Sequence, residues 1–330
     1  MEKFKSFLKR KDIEISAKRY GIDALGAMAQ GLFASLLIGT IIATLGEQLG
    51  IEVLVTIGGY AKAATGPAMA VAIGYALHCP PLVLFSLVAV GGAANTLGGA
   101  GGPLAVLLIT ILTAECGKAV SRETKIDIIV TPFVTITVGS LLSMLFAPAV
   151  GAAASAVGGA IMWATELQPF FMGIIISVIV GIALTLPISS AAICAALSLT
   201  GLAGGAAVAG CCANMVGFAV LSFRENKWGG LFAQGIGTSM LQMGNIVRNP
   251  RIWLPAILTS AITGPIATCI FKLQMNGAAV ASGAKDAITA FDWLGLILIS
   301  FVLPGVLSWA FGLFFRKIGW IRENDLKLDL

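Results

Sequence analysis

Charge is what this sequence has least of. Asp, Glu, Lys and Arg together make up 11% of its 330 residues, against about 25% in soluble domains. That is too little to wet a globular surface, so a soluble enzyme is excluded. Histidine occurs once, which removes any multi-histidine metal centre. The six cysteines, Cys79, Cys116, Cys194, Cys211, Cys212 and Cys269, lie in or beside apolar stretches without metal-ligand spacing, and read as small buried hydrophobes. Gly-rich stretches such as GGAGG lack the Lys-Ser/Thr of a Walker-type phosphate loop, so ATP-driven work by this chain alone is excluded as well. There is no nucleophile elbow. No metal and no cofactor is expected.

What the sequence does hold is apolar: 58% of it is hydrophobic, and the mean hydropathy is +0.95. A spanning helix takes about 20 apolar residues to cross ~30 Å of hydrocarbon. Apolar segments run over 22–46, 53–77, 79–100, 103–116, 126–150, 168–188, 189–201, 203–222, 252–273 and 293–315. The expected fold class is therefore all-α, a polytopic membrane protein of about ten transmembrane helices with broken or re-entrant members. Segments 103–116 and 189–201 are too short to cross upright, and each abuts a Gly- or Pro-rich break, GGAGGP at 98–103 or LPISS at 186–190. Both read as half-helices, and paired interruptions of this kind point to a transporter's binding site. VGGAANTLGGAGGPLAVL (90–107) and LSLTGLAGGAAVAG (197–210) share a texture that either an internal repeat or Gly/Ala-rich composition produces. The stretch 228–246 is short and polar, and reads as re-entrant or interfacial.

The few charges give sidedness. Lys3, Lys5, Lys9, Arg10, Lys11, Lys18 and Arg19 crowd the first 19 residues; Lys118, Arg122 and Lys125 follow the fourth segment, Arg224 and Lys227 the eighth, and Arg316, Lys317, Arg322 and Lys327 the tenth. All fall at even counts, so positive-inside places both termini in the cytoplasm. The organisation expected is a basic arm (1–21), a membrane domain (22–315, with possible halves 22–150 and 160–315) and a cytoplasmic tail (316–330). The basic stretch contains Asp12 and Glu14 and leads into a full-length apolar segment, unlike a cleavable signal. No recognition motif follows the arm, so nucleic acid is not expected as a partner; anionic membrane lipid is.

Ionisable and amide groups inside apolar segments are functional candidates because they are costly there. Glu166 stands in ATELQPF just before Pro169, flanked by Thr165 and Gln168; a carboxylate, an amide and a hydroxyl together can bind the hydroxyls of a sugar, or can cap the helix that follows. His78, ahead of Cys79-Pro80-Pro81, can bond a ligand or anchor a span end. Asn95 and Asn214 sit in Gly/Ala-rich spans, as interhelical glue or ligand contacts. Lys62 falls midway along 53–77 and must snorkel, pair or face water. Glu115 and Lys118 read as a helix-terminal pair.

The runs ATELQPFFMGIIISVIVGIALTLPISSAAI (164–193), GGLFAQGIGTSMLQMGNIVRNPRIWLPAILTSAITGPIATCIFKL (229–273) and AECGKAVSRETKIDIIVTP (114–132) resemble the membrane IIC subunits of the bacterial phosphotransferase system, closest to stand-alone IIC-like proteins, some of them described as regulators of toxin expression. The NPRIWLP block (249–255) is the most distinctive part. The resemblance implies a ten-span, dimeric permease of the bacterial cell membrane that admits a sugar to a midplane site by alternating access, a soluble IIB partner (itself charged by IIA) phosphorylating it. Such transporters hold sugar hydroxyls with a membrane Glu and often a His. Glu166 matches the carboxylate and His78, more loosely, the histidine. This chain carries neither a IIB phosphocysteine nor a IIA phosphohistidine, so those partners act in trans. Two other readings stay open: a solute-sensing membrane regulator using the basic arm, and an ion-coupled carrier with Glu166 or Asp286 taking the proton. The 275–291 connection reads as a lid or an outer loop.

Overall fold

The computed structural model describes residues 2–187, 201–274 and 290–328, and every regular element among them is helical. Nearly all of segment 189–201, with Cys194, and of the 275–291 connection, with Asp286, lies outside the described residues. The chain forms two compact units, Met1–Ala153 and Ala154–Leu330.

In the first unit a short arm helix, α1 (Glu2–Arg10), precedes a continuous helical stretch, Arg19–Leu49. That stretch contains α2 (Ala24–Leu32) and α3 (Ile38–Leu49), joined through a π-helical turn at Phe33–Leu37. Gly50 ends it in the left-handed region (φ 69°), where glycine carries no Cβ penalty. The chain then returns as α4 (Glu52–Ala63) and α5 (Thr65–Ala76). Three glycines on the outgoing stretch let the returning chain come close. A Cβ on Gly31 would sit 2.7 Å from the Ala68 carbonyl oxygen, one on Gly39 2.9 Å from the Ala61 Cβ, and one on Gly46 2.7 Å from the Val55 nitrogen.

The expected single segment 53–77 is thus two helices of twelve residues each. Pro67 offers no N–H and its ring crowds the carbonyl four residues back, while Thr65 Oγ1 donates to the Lys62 carbonyl at 2.6 Å. Lys62 therefore lies in the last turn of α4, exposed.

Pro80 in an extended conformation and Pro81 start α6 (Pro81–Gly98), since a prolyl ring is preorganised for a first turn. At Gly99 (φ 51°, ψ −122°) the chain turns back into α7 (Gly102–Val120). The two helices run antiparallel: Cβ atoms on Gly98 and Gly117 would lie 2.9 Å from Ala105 Cβ and 2.7 Å from Val83 Cγ1. Segment 103–116 is accordingly no half-helix. Its 19-residue helix is about 28 Å long. The helix α8 (Asp127–Thr165) packs its first part on this hairpin, with a Cβ on Gly101 2.7 Å from the Val150 carbonyl oxygen, and carries the chain on past Ala153.

The second unit is built on α9 (Pro169–Thr185), α10 (Gly201–Leu221), the stretch Pro250–Ile270 and the stretch Trp293–Lys317. The contacts are again bare backbone: a Cβ on Gly173 would lie 2.9 Å from the Gly264 carbonyl oxygen, and one on Gly210 2.7 Å from Ser177 Cα. Between α10 and Pro250 the chain breaks into α11 (Phe223–Phe232), a π-turn at Ala233–Gly237, a 3-10 turn at Ser239–Gln242 and α12 (Met243–Arg248). Thr238 is extended at the central break, and its Oγ1 accepts from the Met240 N–H at 3.2 Å. The helix α13 (Leu254–Pro265) then leads, through α14 (Ala290–Ile297), to α15 (Leu303–Lys317).

The carboxy-terminal residues are bound to this unit. Asn226 Nδ2 and Gln242 Nε2 donate to the Leu326 carbonyl at 2.7 and 3.0 Å, Asn245 Nδ2 to that of Lys327 at 2.8 Å, and the Leu328 N–H donates to Asn226 Oδ1 at 2.8 Å. Ile321 and Leu326 join a core with Phe218, Leu221, Ile246, Ile252 and Phe315.

Six helical stretches among the described residues are long and apolar enough to cross a membrane: Arg19–Leu49, Pro81–Val120, Asp127–Val157, Gly201–Leu221, Pro250–Ile270 and Trp293–Lys317. One of these, Pro81–Val120, doubles back on itself, and Pro169–Thr185 is a shorter apolar helix.

Candidate functional site

Thr165, Glu166 and Gln168 stand together in the turn from α8 to α9. The turn is closed by the Glu166 N–H donating to the Trp163 carbonyl (3.2 Å) and that of Leu167 to Ala164 (3.2 Å). Gln168 occupies the cap position of α9, in an extended conformation imposed by the following Pro169, yet its side chain makes no capping hydrogen bond. Glu166 and Gln168 are exposed, and the Glu166 carboxylate has no ion-pair partner among the described residues. The turn is anchored from behind: Thr268 Oγ1 donates to the Pro169 carbonyl at 2.8 Å.

Asn214 is elsewhere. It lies against Gly181, twelve residues along α9 from Pro169 and so about 18 Å from the turn. It is fully buried and all four of its bonding positions are taken. Its Oδ1 accepts from Thr185 Oγ1 (3.3 Å) and Trp253 Nε1 (3.2 Å), while its Nδ2 donates to the Gly210 carbonyl (3.1 Å) and Ser260 Oγ (3.2 Å). Thr185 and Ser239 share a 2.7 Å hydroxyl contact, and Ser177 Oγ donates to the Ser260 carbonyl at 2.7 Å. An uncharged network thus joins α9, α10, α13 and the 3-10 turn. Gln234, also fully buried, has an amide oxygen with no partner among the described residues. Thr185, Ser239, Ser260 and Gln234 were not singled out from the sequence. For Gln234 and Ser239 the signal there is the density of hydroxyl and amide groups in QGIGTSMLQMGN (234–245); Thr185 and Ser260 stand in apolar runs that carry none.

Asn95 and His78 belong to the first unit. Asn95 is half-buried at the end of α6, where a Cβ on Gly102 would meet its Oδ1 at 2.6 Å. His78 follows α5 with φ 56°. Its side chain is 75% exposed and its Nδ1 lies 3.2 Å from Asp12 Oδ2 and 3.4 Å from Arg19. It sits at the edge of a charge cluster that fastens the basic arm. Arg19, almost buried, pairs with Asp12 at 2.5 Å and donates to the Leu77 carbonyl at 3.0 Å. Lys118, fully buried, pairs with Glu115 at 2.8 Å and donates to the Leu77 and Asp12 carbonyls at 3.1 and 2.9 Å. Lys11 binds Glu123 and the Ser121 carbonyl. Three cations thereby cover the carboxy ends of α5 and α7, where the helix dipole favours positive charge. The Arg19 guanidinium holds the Asp12 carboxyl down at about 2, and Lys11 holds that of Glu123 below its ordinary value. Among the described residues no group of three His, Cys, Asp or Glu is arranged to hold a metal.

No curated protein and no solved structure matches the chain. Residues 22–328 match the model of the family described as phosphotransferase system, EIIC. The chain therefore belongs to the phosphotransferase system EIIC family and is a multi-pass membrane transport component of that system.

Proposed function

We propose that this protein is the permease of a phosphoenolpyruvate-dependent sugar phosphotransferase system in a bacterial cell membrane. It carries a sugar or related polar solute by alternating access and hands it to a IIB protein charged by IIA. The reading takes ten crossings, both termini in the cytoplasm and a homodimer. Several features support it: the basic residues gathered at the arm and around Lys118–Lys125, the doubling of Pro81–Val120 into two antiparallel helices, and a second unit whose helices pack through glycine.

The Thr165–Gln168 turn carries the proposal. The Gln168 amide makes no capping hydrogen bond and the Glu166 carboxylate beside it is exposed, so the two offer the acceptors and donors that sugar hydroxyls need. Asn95 and His78 belong to the first unit, where His78 is engaged by Asp12 and Arg19, and the proposed contacts are kept to the turn. Asn214, whose bonds are all spent inside the protein, holds the helices behind the path. A sensing role through the arm has less to work with, since Lys11 and Arg19 are already engaged by Glu123 and Asp12.

The test is Glu166→Gln. Because the side chain is exposed and unpaired, stability should stay within about 0.5 kcal/mol, while phosphorylation-coupled uptake in proteoliposomes falls at least about tenfold, the loss of one charge-assisted hydrogen bond. Uptake equal to the unmodified protein would remove Glu166 from the site.

A further inference from the structure

Within the second unit, α10, α11 and α15 enclose a groove of about 520 Å³. Its walls are apolar, with Trp228, Leu231, Trp309 and Leu313, and Arg224 and Lys227 stand among the lining residues. Both cations are exposed, and neither has an ion-pair partner among the described residues. The acidic residue next to Arg224 in the chain is not free for them. Glu225, whose side chain is 4% exposed, pairs with Arg316 at 2.7 Å, and Arg316 also donates to the Leu221 carbonyl at 3.3 Å. Two unneutralised positive charges are left over an apolar trough flanked by two half-exposed indoles.

We propose that this groove is a binding site for an anionic phospholipid, its phosphate on Arg224 and Lys227 and its acyl chain along Trp228, Leu231, Trp309 and Leu313. Inorganic phosphate would satisfy the cations and leave the walls bare. A zwitterionic lipid would fill the walls but bring its own cation to Arg224 and Lys227. An amphiphile with net negative charge satisfies both, and basic pockets between membrane helices have this preference. Tryptophans at the rim suit the headgroup level of a bilayer.

The experiment uses the purified full-length protein, stripped of lipid in detergent and titrated with dioleoyl-phosphatidylglycerol, dioleoyl-phosphatidylcholine or inorganic phosphate, with bound lipid read by native mass spectrometry. Phosphatidylglycerol should be retained and phosphatidylcholine lost. The double variant Arg224→Gln/Lys227→Gln should bind phosphatidylglycerol about thirtyfold more weakly, two surface cations being removed, with its lipid-free unfolding temperature unchanged. Each single variant should lose part of that affinity, which keeps the test open if the double variant does not fold. Equal retention of the two lipids, undiminished binding by the variants, or displacement of the lipid by millimolar phosphate alone would each overturn the proposal.

Discussion

Lys118 is a charged side chain with no water around it, and it persists because its ammonium is fully engaged, by the Glu115 carboxylate and by two carbonyl oxygens. Removing one member of a buried pair leaves the other unpaired, at a cost of about 3–5 kcal/mol. Lys118→Met should lower the thermal unfolding midpoint in detergent accordingly, and Lys118→Met/Glu115→Gln should recover part of the loss. The Asp12–Arg19 pair gives a pH dependence of definite sign. Its carboxyl is depressed from 3.8 to about 2, so the docking it supplies is complete above pH ~4 and lost as pH falls towards ~2. Hydrogen exchange over residues 11–19 should therefore accelerate on acidification through that window and stay level above it. The Glu115–Lys118 pair could be read from its spacing of three on a helix. The partners of Asn214 could not, because Thr185, Trp253 and Ser260 lie 29 to 46 positions away in the chain and only the packing of three helices brings their polar atoms to one amide.

At the scale of helices, glycine does the fitting. A Cβ on Gly58 would lie 2.7 Å from the Ala43 nitrogen, whereas one on the neighbouring Gly59 would meet nothing within 4 Å. Gly58→Leu should force α3 and α4 apart and cost at least about 1–3 kcal/mol. Gly59→Leu, relieved of glycine's entropy, should be neutral or stabilising by up to ~1 kcal/mol. Thermal unfolding of the two variants side by side reads the difference. Apolar runs announce most of these helices, but their ends depend on local chemistry that hydropathy averages away. Pro67 breaks the second run into two. The Glu115–Lys118 pair lets α7 continue to Val120, where charge in the sequence suggested an earlier stop. In QGIGTSMLQMGN the glycines and hydroxyls signal a broken segment without saying which carbonyls each short turn leaves free.

For the whole molecule, scarcity of charge gives a membrane protein, and the family match over 22–328 gives the transport system. The carboxy-terminal residues, read from composition as a tail, are instead gripped through their backbone by Asn226, Gln242 and Asn245, and a backbone-directed grip leaves no pattern in the side chains it holds. The proposed role rests on coupling to a phosphorylated partner, and one measurement addresses it: uptake of a panel of radiolabelled hexoses and hexitols by proteoliposomes of the purified protein, with IIB supplied phosphorylated, supplied unphosphorylated, or replaced by a proton gradient. Accumulation of one sugar as its phosphate ester, only with phosphorylated IIB, is the expected result; accumulation of unmodified sugar on the gradient alone, or binding without uptake, would contradict it.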